Sequence, residues 1–290
     1  MNPIFDFSPQ ALAELARLDA ARALQEDVGS GDLTAGLIDA TRQARARVLA
    51  REAAVICGAP WVLATLAQLE PTARITWLVS EGQRCAPDQP VLALAGSARA
   101  LLTAERTLLN FLQLLSAVAT HTASYVQAVQ NVSGSRAQIV DTRKTLPGLR
   151  LAQKYAVRTG GGTNHRIGLY DAVLIKENHI AAAGGVTAVL RSAAAVAPTA
   201  TFIEIEVETL AQLEEALNAG ARMVLLDNMS LDMMREAVQL NAGRAILEVS
   251  GGVNMTTVRD IAATGVDRIS IGALTKDIKA IDFSMRFLEF

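Results

Sequence analysis

The chain has 290 residues, enough for one large or two moderate domains with a sizeable core. Apolar residues make up 51% and charged residues 19%, a balance that excludes a disordered chain, and the formal net charge of −2 excludes a global basic field for nucleic acid. Cys57 and Cys85 offer neither a disulfide framework nor metal-ligand spacing, so both are read as reduced and structural.

The opening residues, MNPIFDFSPQ, lack the basic-then-apolar pattern of a secretory signal, and no apolar run is long enough to span a bilayer. A cytoplasmic protein without a membrane segment is expected. Residues 9–25 carry apolar positions at helical spacing, among them Leu12, Leu15, Leu18 and Leu24. EDVGSGDLT, residues 26–34, is a turn-rich acidic loop. Strands are predicted at 45–50 and 53–57, a helix at WVLATLAQL, and strands at ITWLV and QPVLALAG. A long helix over 99–130, apolar nearly all round, reads as a buried connection between two domains.

After residue 135 a regular alternation begins. AQIVDT, AVLIK, FIEIEV, RMVLLD, AILEV and DRISIG are short apolar strands, with helices predicted between them at 185–197, 209–219, 231–240 and 254–263. Gly220, Gly243 and Gly265 fall where helices end. Repeated strand–helix units require a parallel sheet buried on both faces. Reactive or small residues recur at each strand's C-terminal end, and six such ends in succession fit a closed ring better than one crevice. The last stretch, DFSMRFLEF, alternates like a strand that leaves the barrel and could pair with the N-terminal region.

Three groups of residues carry chemistry. The first is cationic: Arg106, Arg143, Lys144, His165, Arg166 and Lys176. A single Lys or Arg is ordinarily a solvated charge, but Arg143 and Lys144 end an apolar strand together with Thr142, and Lys176 follows AVLI directly. His165-Arg166 sits behind the flexible GGGTN, and Arg106 lies early in an apolar helix where a buried guanidinium needs an anion. Such a set suits a ligand with several carboxylates or phosphates. The second group, Glu206 and Asp227, could pair with lysines, bind Mg²⁺ or stabilise a developing cation. Glu204, Glu206 and Glu208 share one strand face and cannot all enter a small interior, so some must lie beyond the strand end. The third group, Ser250-Gly251-Gly252 and Gly272-Ala273, follows the last two strands, where barrels bind phosphate on backbone N–H groups.

These motifs together resemble a known family. EDVGSGDLT, ERTLLNFLQLLSAVAT, DTRKTLPGLR, QKYAVRTGGGTNHRIGLYDAVLIKENHI, EIEVETL, VLLDNM, EVSGGV and GVDRISIGALT are similar to quinolinate phosphoribosyltransferases over roughly residues 20 to 280. The resemblance implies an N-terminal α/β sandwich over 1–115, joined by strand 280–290, and an incomplete TIM-like α/β barrel over 116–279. It implies transfer of phosphoribosyl from 5-phosphoribosyl 1-pyrophosphate to quinolinate with loss of carbon dioxide, a step of NAD biosynthesis. It also implies Mg²⁺ and a homodimer in which Arg106 crosses to the neighbouring site. Thr142, Arg143, His165, Arg166 and Lys176 would hold the quinolinate carboxylates. Lys144, Glu206 and Asp227 would surround the sugar donor and its Mg²⁺; Ser250 to Gly252 with Gly272 and Ala273 would hold the 5-phosphate.

The rival readings are a Schiff-base aldolase using Lys176, a phosphate-ligand sensor without turnover, a paralogue tied to molybdate transport, and a nicotinate phosphoribosyltransferase.

Overall fold

The computed structural model describes residues 5–195 and 197–289. In chain order the elements are α1 (Pro9–Asp27), β1 (Gln43–Ala50), β2 (Ala54–Val55), α2 (Ala59–Leu69), β3 (Arg74–Trp77), β4 (Arg84–Cys85), β5 (Pro90–Ser97) and α3 (Ala98–Gln130). Then follow β6 (Gln138–Val140), α4 (Arg150–Thr159), β7 (Val173–Ile175), α5 (Glu177–Ala183), α6 (Val186–Ala193), β8 (Ile203–Val207), α7 (Leu210–Asn218) and β9 (Met223–Asp227). The chain ends with α8 (Leu231–Asn241), β10 (Ile246–Ser250), α9 (Val258–Ala262), β11 (Arg268–Ser270), α10 (Ala273–Lys276) and β12 (Phe283–Glu289).

Two compact units form. The first gathers the residues up to His121, Pro147–Gly160 and the stretch from Ile278 onward. Its sheet runs β12-β1-β5-β3, and every neighbouring pair is antiparallel. β1 alternates strictly, turning Gln43, Arg45 and Arg47 outward and Ala44, Ala46, Val48 and Ala50 inward. Those inward residues pack with Leu92, Leu94, Leu101, Leu108 and Leu112 in an aliphatic core, as a chain with 4% aromatics must. The terminal strand does pair with the N-terminal region, on β1.

Residues 147–160 join this first unit although they lie within the sequence predicted to form the barrel. The reason is side-chain chemistry on α4. Tyr155 sits 5.6 Å from the Trp61 ring and donates its hydroxyl to Glu81 at 3.0 Å. Glu81 also accepts from Gly58 N at 2.9 Å and Ala59 N at 3.0 Å, satisfying the start of α2, which has no capping side chain of its own. Burial and that carboxylate together hold the Tyr155 hydroxyl well above its ordinary range. Cys57 and Cys85 are both free and buried.

The second unit holds 122–146 and 161–277. Its six strands are parallel, in the order β6-β11-β10-β9-β8-β7. Successive strands along the chain are thus neighbours around an arc, while β6 and β7 stand at its two edges. The barrel is incomplete, as expected. Helix ends obey the predicted punctuation: Gly220 and Gly265 take φ of 88° and 94° just beyond α7 and α9, values that tolerate no side chain comfortably. The helix expected over 254–263 is shorter, because the Asn254 side chain accepts from Thr256 N and Thr257 N in a turn before α9. Among the described residues no helix is long and apolar enough to cross a membrane.

Candidate active site

The strand period places the site. Residues two apart share a face, and parallel pairing sets Glu206 against Leu225, Leu225 against Glu248, Glu248 against Arg268 and Asp227 against Ser250. Glu204, Glu206, Asp227, Glu248, Ser250, Arg268 and Ser270 therefore lie on one sheet face, and Ile205, Val224, Leu226, Leu247 and Val249 on the other. The three glutamates of EIEVE separate as predicted: Glu204 is fully buried, Glu206 half-buried, and Glu208 exposed beyond the end of β8.

At the C-terminal ends of these strands lies a cavity of about 510 Å³. It brings together Thr142, Lys144, Lys176, Glu206, Asp227, Ser250, Gly251, Gly252, Gly272 and Ala273, all named from the sequence. Asn228, Val253, Ser270, Ile271, Lys276 and Asp277 line it as well. Lys176 Nζ meets Glu206 Oε2 at 2.7 Å, so this carboxylate already holds one cationic partner. The backbone of Lys176 donates to His179 Nδ1 at 2.9 Å, which gives the histidine of KENH a local role at the start of α5.

Tight approaches shape the cavity wall. Lys144 Cδ lies 3.0 Å from where a Cβ on Gly272 would stand, so the absence of a side chain there lets the lysine stem cross. The loop carrying Lys144 is pinned on both sides: its N–H donates to Thr142 Oγ1 at 3.1 Å and its carbonyl accepts from Thr275 Oγ1 at 2.8 Å. Asn228 takes the left-handed φ of 52° that asparagine tolerates, and its Nδ2 donates to Asp227 Oδ2 at 2.8 Å. The sequence sets it at a strand end directly after Asp227, without assigning it a role.

The GGGTNHR loop is tied to the first strand. Val140 bridges Thr163, and Asp141, buried, accepts from His165 N at 2.8 Å and Asn164 Nδ2 at 2.6 Å. His165 and Arg166 are 7% and 9% exposed, and neither they nor Arg143 lines the cavity described above. The Arg166 guanidinium donates to Ala172 O at 3.4 Å, and its pKa is lowered by burial and then by the charge of Arg143. The charges of Asp171 and Glu204 act in the opposite sense on Arg166. Arg106 lies in the first unit and is exposed on α3, so the buried position expected for it does not occur within the chain.

Burial raises the carboxyl groups of Glu204 and Glu248 to about 7 each; Arg268 pulls Glu204 back down, and Glu204 pushes Glu248 further up. Glu206, Asp227 and Asp277 supply oxygen donors of the kind a hard divalent cation takes. The cavity thus combines three lysines, three carboxylates and a glycine-rich wall. Such a set suits a ligand with several phosphates.

Known proteins are similar to this chain along most of its length. The model of the quinolinate phosphoribosyl transferase N-terminal domain matches residues 32–116, and that of the C-terminal domain matches 118–286. A Mycobacterium leprae protein named nicotinate-nucleotide pyrophosphorylase (carboxylating) is 41% identical over 279 residues, 94% of this chain and 97% of its own. A Nicotiana glauca protein named quinolinate phosphoribosyltransferase (decarboxylating) 1 is 38% identical over 284 residues, 91% of this chain and 80% of its own. The solved nicotinate-nucleotide pyrophosphorylase from Francisella tularensis superimposes with a TM-score of 0.92 at 41% identity, covering 99% of this chain and 100% of that one. With both domains matched along nearly its whole length, the chain belongs to the quinolinate phosphoribosyltransferase family.

Proposed function

We propose that this chain joins quinolinate to the phosphoribosyl group of 5-phosphoribosyl 1-pyrophosphate, releasing pyrophosphate and carbon dioxide and giving nicotinate mononucleotide for NAD biosynthesis. The observation that carries this reading is the cavity in which Lys144, Lys176, Glu206 and Asp227 meet the glycine-rich wall of Ser250 to Gly252 and Gly272. Two anionic substrates repel each other in water, and concentrated cations remove that barrier.

Arg143, Arg166 and Lys176 hold the two carboxylates of quinolinate in this reading, with Thr142 and His165 completing the pocket. The pyridine nitrogen lone pair forms a bond to ribose C1 as the C1–oxygen bond to pyrophosphate breaks. Positive charge develops on the ribose in that step, and the carboxylates of Glu206 and Asp227 stabilise it. Lys144 neutralises the departing pyrophosphate, and the N–H groups of Gly251, Gly252, Gly272 and Ala273 fix the 5-phosphate. The alkylated ring is a pyridinium that accepts the electron pair of the adjacent carbon–carboxylate bond; carbon dioxide leaves and a proton takes its place. The oxygen donors of Glu206 and Asp227 suit Mg²⁺, which supplies charge neutralisation to the pyrophosphate when bound. The cytoplasm, where both substrates dissolve freely, is the compartment this reading expects.

Incubation with quinolinate, phosphoribosyl pyrophosphate and Mg²⁺, following carbon dioxide and nicotinate mononucleotide together, tests the reaction. Nicotinate should turn over poorly, because each cationic group left unpaired costs about 1–3 kcal/mol. Equal turnover of nicotinate would favour a non-decarboxylating enzyme. The exposure of Arg106 supports a further element, a homodimer in which this residue completes the partner's site. Arg106→Ala and Lys144→Ala should then each be inactive alone and recover activity when mixed under subunit exchange. No recovery despite proven exchange would refute the shared site.

A further inference from the structure

Below the cavity the sheet face carries two buried glutamates that the reaction does not use. Glu204 and Glu248 are both 0% exposed. His165 Nε2 lies 2.8 Å from Glu204 Oε2 and 3.5 Å from Glu248 Oε1. Glu248 in turn meets Arg268 Nε at 2.8 Å and accepts from Ser270 Oγ. Replacing such a buried ionic group with apolar residues is often neutral or stabilising, so its presence calls for a reason other than stability.

The ring of His165 supplies one. Its Nδ1 accepts the backbone N–H of Arg166 at 2.8 Å, so that nitrogen carries no proton. The ring proton therefore resides on Nε2 and is donated to Glu204. The His165 peptide N–H is held separately, by Asp141 at 2.8 Å. The backbone on both sides of His165 is thus anchored, and the second anchor exists only while the ring keeps this tautomer and orientation.

We propose that Glu204 is a positioning residue for Arg166, acting through the imidazole of His165. The proposal rests on the reading of Arg166 as a carboxylate-binding group. An acceptor at Glu204 Oε2 selects the Nε2–H tautomer, frees Nδ1 to hold the Arg166 N–H, and so fixes where the guanidinium emerges. The ligand atoms of His165, Glu204 and Glu248 also lie within 4.8 Å of one another, a spacing a divalent cation could use. Arg268 already brings positive charge into that cluster, and both ring nitrogens are engaged, which favours the positioning role.

The test compares Glu204→Gln, which keeps an acceptor for the ring, with Glu204→Leu, which removes it. Quinolinate affinity by calorimetry should fall about tenfold or more in Glu204→Leu and by no more than about threefold in Glu204→Gln. The Michaelis constant for phosphoribosyl pyrophosphate should stay within about twofold in both, a split that general loosening of the fold would not give. Proton–nitrogen NMR of the three histidines should find His165 as the Nε2–H tautomer in the unaltered enzyme, a measurement that stands even if Glu204→Leu does not fold. An Nδ1–H tautomer would overturn the proposal, as would Zn²⁺ binding lost in Glu204→Gln. Arg166→Ala separates the two levels of inference. If it weakens quinolinate while folded Glu204→Leu does not, the positioning role fails alone; if Arg166→Ala binds quinolinate normally, the pocket reading itself fails.

Discussion

Replacing Gly251 by alanine strikes the point where backbone geometry and site chemistry meet. Gly251 has φ of 98°, and a Cβ built there would stand 2.8 Å from Asn228 Cγ and 3.2 Å from Asn228 N, with Oδ1 closer still. A left-handed conformation costs a residue with a Cβ about 1–2 kcal/mol. Pushing the Asn228 amide aside also removes its 2.8 Å donation to Asp227 Oδ2. A hydrogen bond to a charged acceptor contributes about 1.5–3 kcal/mol, and the low end applies because Asn228 is exposed. The variant should therefore lose about 2–4 kcal/mol of stability. A carboxylate left unheld in the transition state, at about 1.4 kcal/mol or more, lowers turnover at least about tenfold. Thermal melts and steady-state turnover measure the two effects separately. Adding Asn228→Gly relieves the clash without restoring the hydrogen bond, so the double variant should regain part of the stability and none of the turnover. A Gly251→Ala enzyme that melts and turns over like the parent would refute the reasoning, since it would mean that Asn228 does not pack there or does not orient Asp227.

Two further outcomes follow from carboxylates outside the cavity. Glu81→Ala removes the acceptor for Gly58 N, Ala59 N and the Tyr155 hydroxyl, and should cost about 3 kcal/mol, or roughly 6–12 °C in melting temperature. Glu81→Gln should lose less, and equal losses would show that the hydrogen bonds are not what matters. Glu248 is raised from 4.5 to about 7 in the folded chain, so between those values the folded state binds more protons than the unfolded. Stability should fall as pH rises through that window, with the full cost present above it. Glu248→Gln abolishes the titration, and the attraction of Arg268 for the ionised carboxylate, which it also removes, is already contained in the raised value. The stability of Glu248→Gln relative to the parent should improve by about 2 kcal/mol between about pH 5 and about pH 8, measured by denaturant unfolding. Parallel pH curves would refute the shift.

The strands of the second unit were legible because each is a short apolar run that can form only a sheet buried on both faces. The same period of two separated Glu204, Glu206 and Glu208 and set Lys144, Lys176 and Asp227 at strand ends, so most of the cavity could be named residue by residue. The open edge between β6 and β7 came from the recognised motifs, since period alone had suggested a closed ring. What pattern could not reach depends on groups far apart in the chain. Tyr155 meets Glu81 across 74 positions and draws α4 into the first unit; His165 meets Glu204 across 39. Arg106 reads as buried in an apolar helix, yet which side of α3 is covered depends on its neighbours, and that side is not the one Arg106 occupies. Local sequence determines period, and period determines which faces a strand offers. Which distant side chain then satisfies a buried donor or charge is decided only when register and packing bring the two together.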